Sequence, residues 1–501
     1  MLQLQELIDY VTPSSLNRIS LFRNSGKGKN SLLSKLYQSL SNKEVQTDKE
    51  ASEVLFGKAQ DLRYAKLKYR LKQQLINTVL MVEPKEKSRG NYNEIFTNLR
   101  KQLCVADIMR RENKYSVVFD IVKKVFAQAQ KAEMTSISLH CTQLMLSYYH
   151  FKKHDLAESK KYIELAKTFN KLNNAEVDAF TSYFEMIDCV LNTQIPTKEK
   201  VEIAETLLKK LDDKHKGVST IDFDNHYYFI KISSKAYSKD YLAVMSICED
   251  QIRKLEKKPF YPRAHVRNYL FQIMNASLPT RAYSSGKSAY ERFLEEVDIG
   301  KRPWFRAKQF YIYLAIHSED YSLAYDTCNS IIDHSKFKDQ AEDIKERFLL
   351  LRAYLYWLDS INVIPEERKS FRLGKFLNEM PEFSKDRLRF NIPILVIQVL
   401  WIIHRKAYDK ADERLTSLQR YADRYLKKIP DLSRTYHFLK AITKLRVARF
   451  NRTRFEERTS DFMKKLQENP STANPDAIEI EIVPYDRLYT LLLDQLDNKL
   501  H

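Results

Sequence analysis

The sequence predicts an all-α fold, an irregular α-solenoid of helical hairpins with a period of about 42 residues and a small helical module at its amino-terminal end. The first observation behind this prediction is a shortage of glycine. The 501 residues include 8 glycines, whereas average usage of about 7% would give roughly 35. Sheet folds and phosphate-binding loops need glycine where the chain turns with positive φ or approaches a phosphate. The shortage of glycine therefore predicts a chain that is mostly helical.

The second observation is a recurring pattern of four residues. An aromatic or apolar residue is followed three, seven and ten positions later by small or apolar residues, as in Tyr321, Ala324, Cys328 and Ile331. This spacing places all four side chains on one face of a helix. The separation of about 42 residues leaves room for two helices and two short connections. The repeat anchors are Tyr115, Leu156, Val201, Tyr241, Tyr321 and Tyr408, with weaker copies at Gly286, Ser370 and Phe455.

The third observation is that a second apolar helix precedes most anchors. Examples are predicted over residues 304–317, before Tyr321, and 432–450, before Phe455. Prolines fall mainly between such segments, as expected at the ends of helices. The chain contains too few glycines to supply every turn between the predicted helices. We therefore expect Asn, Asp, Ser, Lys and Pro to form most of these turns. The alternative is an irregular helical domain in which the apparent period of about 42 residues arises by chance.

Three segments resemble the turn and second helix of the tetratricopeptide repeat family, whose pattern is Gly-Asp-Tyr-x-x-Ala. They are Lys239–Val244 (KDYLAV), Glu319–Ala324 (EDYSLA) and Lys406–Ala411 (KAYDKA). The resemblance implies stacked hairpins with an extended surface that holds a peptide or a partner domain. The anchor spacings run from 35 to 49 residues, so the array is predicted to be irregular.

The chain divides into three predicted parts. Residues 1–95 form a basic helical module, residues 96–470 form the tetratricopeptide-like repeats, and residues 471–501 form a tail or cap with a short strand and a helix. The strand is predicted at residues 478–482, where isoleucine and glutamate alternate, and the helix at residues 485–496. Such a tail caps the array or pairs with the sheet edge of a partner.

The amino-terminal module is predicted to contain three successive helices over residues 31–41, 48–56 and 61–81. Thr47 or Asp48 caps the second helix and Gly57 ends it. This order suits a helix-turn-helix, whose last helix lies in a DNA groove. Residues 51–57 and 67–75 resemble the second and third helices of the winged-helix domain in bacterial activators that carry tetratricopeptide-like repeats.

Two basic surfaces are candidate nucleic-acid contacts. On the third predicted helix, one face carries hydrogen-bond donors that suit phosphates and base edges, whereas Leu67, Leu71 and Leu75 mark its apolar face. A second basic run, residues 440–458, is interleaved with Phe450 and Phe455, aromatic residues that suit base stacking. In both cases the alternative is an ordinary solvated helix face. The candidate contacts are Arg63, Lys66, Arg70, Gln73, Asn77, Lys440, Lys444 and Arg449.

Charge and cysteine usage favour a macromolecular partner and a cytoplasmic location. The formal net charge is +19, which suits nucleic acid, acidic proteins or anionic surfaces. Five isolated cysteines without a CxxC pair indicate a reducing compartment. We expect no signal peptide and no membrane span, because the longest apolar run, residues 392–403, is too short.

The sequence contains no convincing catalytic signature. No Gly-x-Ser-x-Gly elbow occurs, and no cysteine lies in a context typical of a nucleophile. We therefore expect no enzyme activity, no cofactor and no metal. The principal hypothesis is a scaffold or adaptor that binds a partner protein along its repeat surface. The alternative is a DNA-binding transcriptional regulator that combines an amino-terminal helix-turn-helix-like module with a repeat sensor domain.

Overall fold

A computed structural model shows that the chain folds into a series of α-helices. It describes residues 1–10, 31–59, 61–81, 92–192, 195–364, 388–427, 432–468 and 481–499. These residues form 21 α-helices and contain no β-strand. The prediction of an all-α, solenoid-like fold is therefore confirmed. The chain separates into two compact units, Met1–Val125 and Phe126–His501, whereas the predicted division at residue 95 stays a prediction.

The described residues of the first unit form five complete helices and most of a sixth. Its core consists of apolar side chains from α1 to α4, including the fully buried Leu36, Leu71 and Leu75. The capping prediction is confirmed, since Thr47 and Glu50 form a reciprocal capping box and Gly57 ends α3 with a φ of 71°. The helices are α1 (Leu2–Tyr10), α2 (Leu32–Ser41), α3 (Asp48–Phe56), α4 (Leu62–Met81), α5 (Tyr92–Arg111) and α6 (Tyr115–Lys131), which extends into the second unit.

The second unit is a succession of helices in which chain neighbours pack against each other. This arrangement is that of a repeat array. Its helices are α7 (Thr135–Ser147), α8 (Leu156–Leu191), α9 (Thr197–Lys214), α10 (Ile221–Tyr237), α11 (Tyr241–Glu256), α12 (Arg263–Ser277), α13 (Tyr283–Glu295), α14 (Arg302–His317), α15 (Tyr321–Ile332), α16 (Glu342–Ser360), α17 (Leu388–His404), α18 (Tyr408–Tyr421), α19 (Ser433–Val447), α20 (Arg452–Glu468) and α21 (Tyr485–Leu493).

The repeat anchors lie at helix starts. Five of them are the first residues of α6, α8, α11, α15 and α18, and Val201 lies in the second turn of α9. In α15 the whole four-residue pattern, from Tyr321 to Ile331, is buried. The copy at Leu156 differs, because Leu156 is exposed while Ser159 and Tyr162 are buried. The weak copy at Ser370 lies outside the described residues.

The turns within hairpins use charged residues or asparagine in the left-handed conformation rather than glycine. Lys239 has a φ of 60°, and its N–H donates to the carbonyl of Ala236 while the N–H of Asp240 donates to the carbonyl of Lys235. This pair of bonds is the Schellman motif, which satisfies carbonyls at a helix end. The side chain of Asp240 then accepts from the N–H of Ala243 and caps α11. The same pair of backbone bonds recurs at Arg281, Glu319, Asn362, Lys406 and Arg449.

The turn geometry also corrects the position of one weak anchor. Tyr283, two residues after the left-handed Arg281, is the first residue of α13, so it takes the anchor position that the sequence assigned to Gly286. Gly286 instead lies three residues after Tyr283. The residues three positions after Tyr321 and Tyr408 are alanines. A Cβ built on Gly286 would lie 2.2 Å from Oγ of Ser277. Gly286 is therefore used for close helix packing, not for a turn.

Two regions depart from a regular hairpin. Helix α8 has 36 residues and runs without a break from Leu156 to Leu191, so it takes the place of two successive repeat helices. At the carboxyl end, the predicted helix is observed as α21, which packs against α20. Residues 478–480 of the predicted strand lie outside the described residues, and Glu481 and Ile482 do not form a strand.

Candidate protein-binding groove

Residues 167–184 of α8 have one exposed face. The exposed residues recur every three or four positions, so they form a stripe along the helix. The opposite side holds Ala175, Ala179 and Met186, which belong to a core shared with α9 and α10. The exposed stripe comprises Lys167, Asn170, Lys171, Asn174, Val177, Phe180 and Phe184.

The first part of this stripe forms one wall of a continuous groove. Three adjoining cavities of 590, 670 and 340 Å³ make up the groove. The first two share His215, and the second and third share Asp224 and Lys254. We call this surface the lysine groove. Its charged residues are Lys167, Lys171, Lys214, Lys216, Lys254, Lys257, Lys258, Asp178, Asp212, Asp213 and Asp224.

Seven lysines and four aspartates line the groove, so positive charge exceeds negative charge by three. Several lysines already have partners, for example Lys214, which lies 2.7 Å from Oδ2 of Asp178. In contrast, Lys171, Lys216 and Lys257 are exposed and have no ion pair within the part of the chain that the structure describes. These three cations are therefore available to an acidic ligand.

Asp178 holds α8 against the end of α9. Its Oδ2 lies 2.6 Å from Nε2 of the buried His215 as well as 2.7 Å from Nζ of Lys214. Burial alone would raise the pKa of Asp178, but the hydrogen bonds from Lys214 and His215 outweigh it and lower that pKa. This carboxylate therefore stays ionised and holds His215, which lines both of the first two cavities.

Glu176 is a second carboxyl on α8, and it faces the interior. Its Oε1 accepts hydrogen bonds from the hydroxyls of Thr135, at 2.5 Å, and Thr220, at 2.7 Å. Burial raises the pKa of Glu176 to about 7, although the two threonines partly oppose this rise. The carboxyl thereby links α8 to the starts of α7 and α10, next to the groove.

The stripe continues beyond the lysines as an apolar patch. Val177, Phe180 and Phe184 are each about half exposed, and the rings of the two phenylalanines lie 4.7 Å apart. Exposed apolar groups in one patch are typical of docking surfaces. The sequence analysis missed this surface because α8 carries no glycine, proline or charge run there. The only signal was its spacing of three and four.

The predicted basic stripe on α4 is a single exposed face. Lys66, Arg70, Gln73 and Asn77 are all exposed, while the leucines of the opposite face are buried. Among the described residues, neither Lys66 nor Arg70 has an ion pair. The structure therefore brings these four predicted contacts together.

Arg63, the first residue of the predicted stripe, is held by its own neighbours. Its Nε and Nη2 donate to the two carboxylate oxygens of Asp61, at 3.0 and 2.8 Å, and its guanidinium lies over the ring of Phe56. The hydrogen bonds from Arg63 lower the pKa of Asp61 to about 2. Arg63 therefore helps to fix the connection between α3 and α4.

The second predicted basic surface is less open. Nζ of Lys440 lies 3.1 Å from Oδ1 of Asp423, and Lys444 lies over the ring of Phe462. Arg449 occupies a left-handed turn, with a φ of 54°. Phe450 and Phe455, the predicted stacking residues, are buried. The aromatic residues of this segment are therefore core residues and not a stacking platform.

The fold and surfaces define an all-α helical-repeat protein. Comparison with protein-family models, curated proteins and solved structures finds no match to this chain. Within the described ranges, no helix is both long and apolar enough to span a bilayer.

Proposed function

We propose that this chain is a non-enzymatic, tetratricopeptide-like scaffold that binds an acidic segment of a partner protein in the lysine groove. The observation that carries the proposal is a set of exposed cations without an ion pair among the described residues, Lys171, Lys216 and Lys257, along a groove contributed by α8 to α12. Helical-repeat arrays commonly bind their partners along such extended surfaces.

Charge complementarity defines the chemistry of the partner. Acidic side chains would pair with the three available lysines, which increases the association rate and suppresses basic competitors. The apolar patch beside the lysines favours a segment that also carries aliphatic or aromatic residues. Val177 links the two parts, because it lines the first cavity and belongs to the patch.

A binding titration tests this proposal. The probe is a short fluorescein-labelled peptide in which pairs of glutamates alternate with leucine and phenylalanine, and fluorescence anisotropy reports binding to the full chain. We expect saturable binding that weakens as salt rises, because the lysines are exposed. The triple variant K171E/K216E/K257E should bind roughly tenfold more weakly or worse, equivalent to about 1.4 kcal/mol or more.

A matched variant separates the groove from general charge. Lys287, Lys338 and Lys464 are exposed lysines of the second unit that do not line the lysine groove. The variant K287E/K338E/K464E has the same net charge as the groove variant, and it should bind the peptide with native affinity. Equal losses in the two variants would show non-specific attraction and refute the groove.

A second candidate function rests on the exposed stripe of α4. Lys66, Arg70, Gln73 and Asn77 form one face of a helix that follows two shorter helices, as in the winged-helix activators that this region resembles. Arginine and lysine on such a face can neutralise phosphates, and the amides can contact base edges. On this reading the chain is a DNA-binding regulator with a repeat sensor domain.

Duplex DNA distinguishes this second candidate from the first. The variant K66A/R70A should lose affinity and reduce the salt dependence of binding. The control K35A/K49A removes two exposed lysines from α2 and α3, and it should bind DNA like the native chain. If both variants bind DNA like the native chain, the stripe is not a DNA-binding surface.

A further inference from the structure

The innermost cavity of the lysine groove has features that an extended peptide does not require. It has a volume of 340 Å³ and lies among α10, α11 and α12. This is within the range of about 300–1,000 Å³ that is typical of small-molecule sites. The cavity therefore has room for a metabolite-sized ligand.

Two carboxamide side chains in this cavity lack partners. Gln251 is only 4% exposed, yet it has no hydrogen bond within the described part of the chain. The Oδ1 atom of Asn225 is also buried without a hydrogen-bond partner. A buried polar group without a partner is unfavourable. Oδ1 of Asn225 is such a group, and a polar ligand in the cavity would satisfy it together with the amide of Gln251.

The same cavity carries charges of both signs. Asp224 accepts a hydrogen bond from the hydroxyl of Ser219 at 2.8 Å. Burial raises the pKa of Asp224, whereas Ser219 and the nearby Lys254 and Lys258 oppose the rise. Lys254 makes no ion pair in the described ranges, and Lys258 is paired with Glu133. One carboxyl and one ammonium thus line the same cavity.

Part of the remaining wall is apolar. Ile221 and Leu255 are buried at the cavity, together with Tyr269, which is 1% exposed. A ligand that fits the whole cavity needs a cationic donor group, an anionic acceptor group and an apolar part.

We propose that this cavity binds a free α-amino acid with an apolar side chain. Asp224 and Oδ1 of Asn225 would accept from the α-ammonium, Lys254 and the amide of Gln251 would donate to the α-carboxylate, and the side chain would lie against Ile221 and Leu255. The site lies within the lysine groove but uses other residues than the three lysines proposed for the acidic partner, so its failure leaves the proposed function standing.

Calorimetry on the full chain tests this inference, with leucine and phenylalanine as probes. We expect saturable binding of at least one of them. N-acetyl-leucine and leucinamide each lack one charge of the amino acid, and each should bind roughly tenfold more weakly. Absence of binding by both amino acids, or equal binding of the blocked forms, would overturn the inference.

Two variants keep the test independent of folding. The variant Q251L replaces an amide that makes no hydrogen bond among the described residues, so its melting temperature should stay close to that of the native chain, while amino-acid binding falls by roughly tenfold or more. The control Q309L changes an equally buried glutamine that does not line this cavity, and it should bind the amino acid normally. Native binding by Q251L would overturn the assignment.

Discussion

Arg434 and Glu481 form a buried ion pair that fixes the carboxyl-terminal segment to α19. Their side chains are 6% and 1% exposed, and Nη2 of Arg434 lies 3.3 Å from Oε2 of Glu481. Arg434 also donates to the carbonyl of Leu466 at the end of α20. One guanidinium therefore joins α19, α20 and the residues that precede α21.

Removing the arginine should be strongly destabilising. In R434M the carboxylate of Glu481 stays buried without its partner, so we expect a loss of about 3–5 kcal/mol in the free energy of unfolding. Urea denaturation measures this loss. The double variant R434M/E481L removes both charges and should recover most of the stability. A single variant as stable as the native chain would contradict the role assigned to the pair.

Glu176 should make stability dependent on pH. Its pKa of about 7 in the folded chain lies above the ordinary value of 4.5. Protonated Glu176 therefore contributes its full stabilisation of the folded chain below about pH 4.5. This contribution is lost as pH rises through 7. The variant E176Q keeps acceptors for Thr135 and Thr220 without the charge. At pH 8 it should be more stable than the native chain by up to about 3 kcal/mol.

Thermal unfolding from pH 5 to pH 8 measures this effect. The advantage of E176Q over the native chain should grow with pH. The control E205Q changes an exposed glutamate of α9 and should follow the native curve. An advantage of E176Q that does not change with pH would show that Glu176 is already ionised at pH 5.

Gly286 should tolerate no side chain. In G286A the new Cβ would lie 2.2 Å from Oγ and 3.0 Å from Cβ of Ser277, and 3.2 Å from Cδ1 of Leu314. Helices α12 and α13 must then separate, at a cost of about 1–3 kcal/mol. Urea denaturation should show this loss, and S277G should restore part of it in the double variant. Additive effects of the two substitutions would contradict the proposed contact.

Replacing a left-handed turn residue with glycine should stabilise the folded chain. Lys239 has a φ of 60°, a conformation that costs a residue with a Cβ about 1 kcal/mol. We expect K239G to raise the free energy of unfolding by a few tenths of a kcal/mol to about 1 kcal/mol, after the entropy of glycine in the unfolded chain is included. The control K210G, inside α9, should be destabilised by about 1 kcal/mol. Destabilisation by K239G would contradict this account.

Much of the fold could be predicted because apolar spacing reports directly on buried helix faces. The copy that begins at Tyr321 illustrates this, since all four of its residues are buried. Turn chemistry was harder to predict. Lysine at 239 and 406 agrees with the expected turn residues, whereas Arg281 and Glu319 were not expected. Backbone hydrogen bonds stabilise these turns, and such bonds leave little trace in the side chains.

The candidate site could be predicted only in part. The exposed face with Lys66 and Arg70 lies on one regular helix, so the spacing of its residues in the sequence was enough to predict it. The lysine groove instead combines Lys171, Lys216 and Lys257, which are far apart in sequence and meet only through the packing of α8 to α12. Packing of this kind depends on the long, unbroken α8, which the repeat pattern did not reveal.

Carbodiimide cross-linking of the acidic probe peptide to the full chain tests the central claim most directly. The reagent joins carboxylates of the peptide to nearby lysines, and mass spectrometry identifies them. The proposed function predicts cross-links concentrated at Lys171, Lys216 and Lys257, which high salt removes. Cross-links concentrated instead at Lys287, Lys338 and Lys464, or at Lys66, would contradict it.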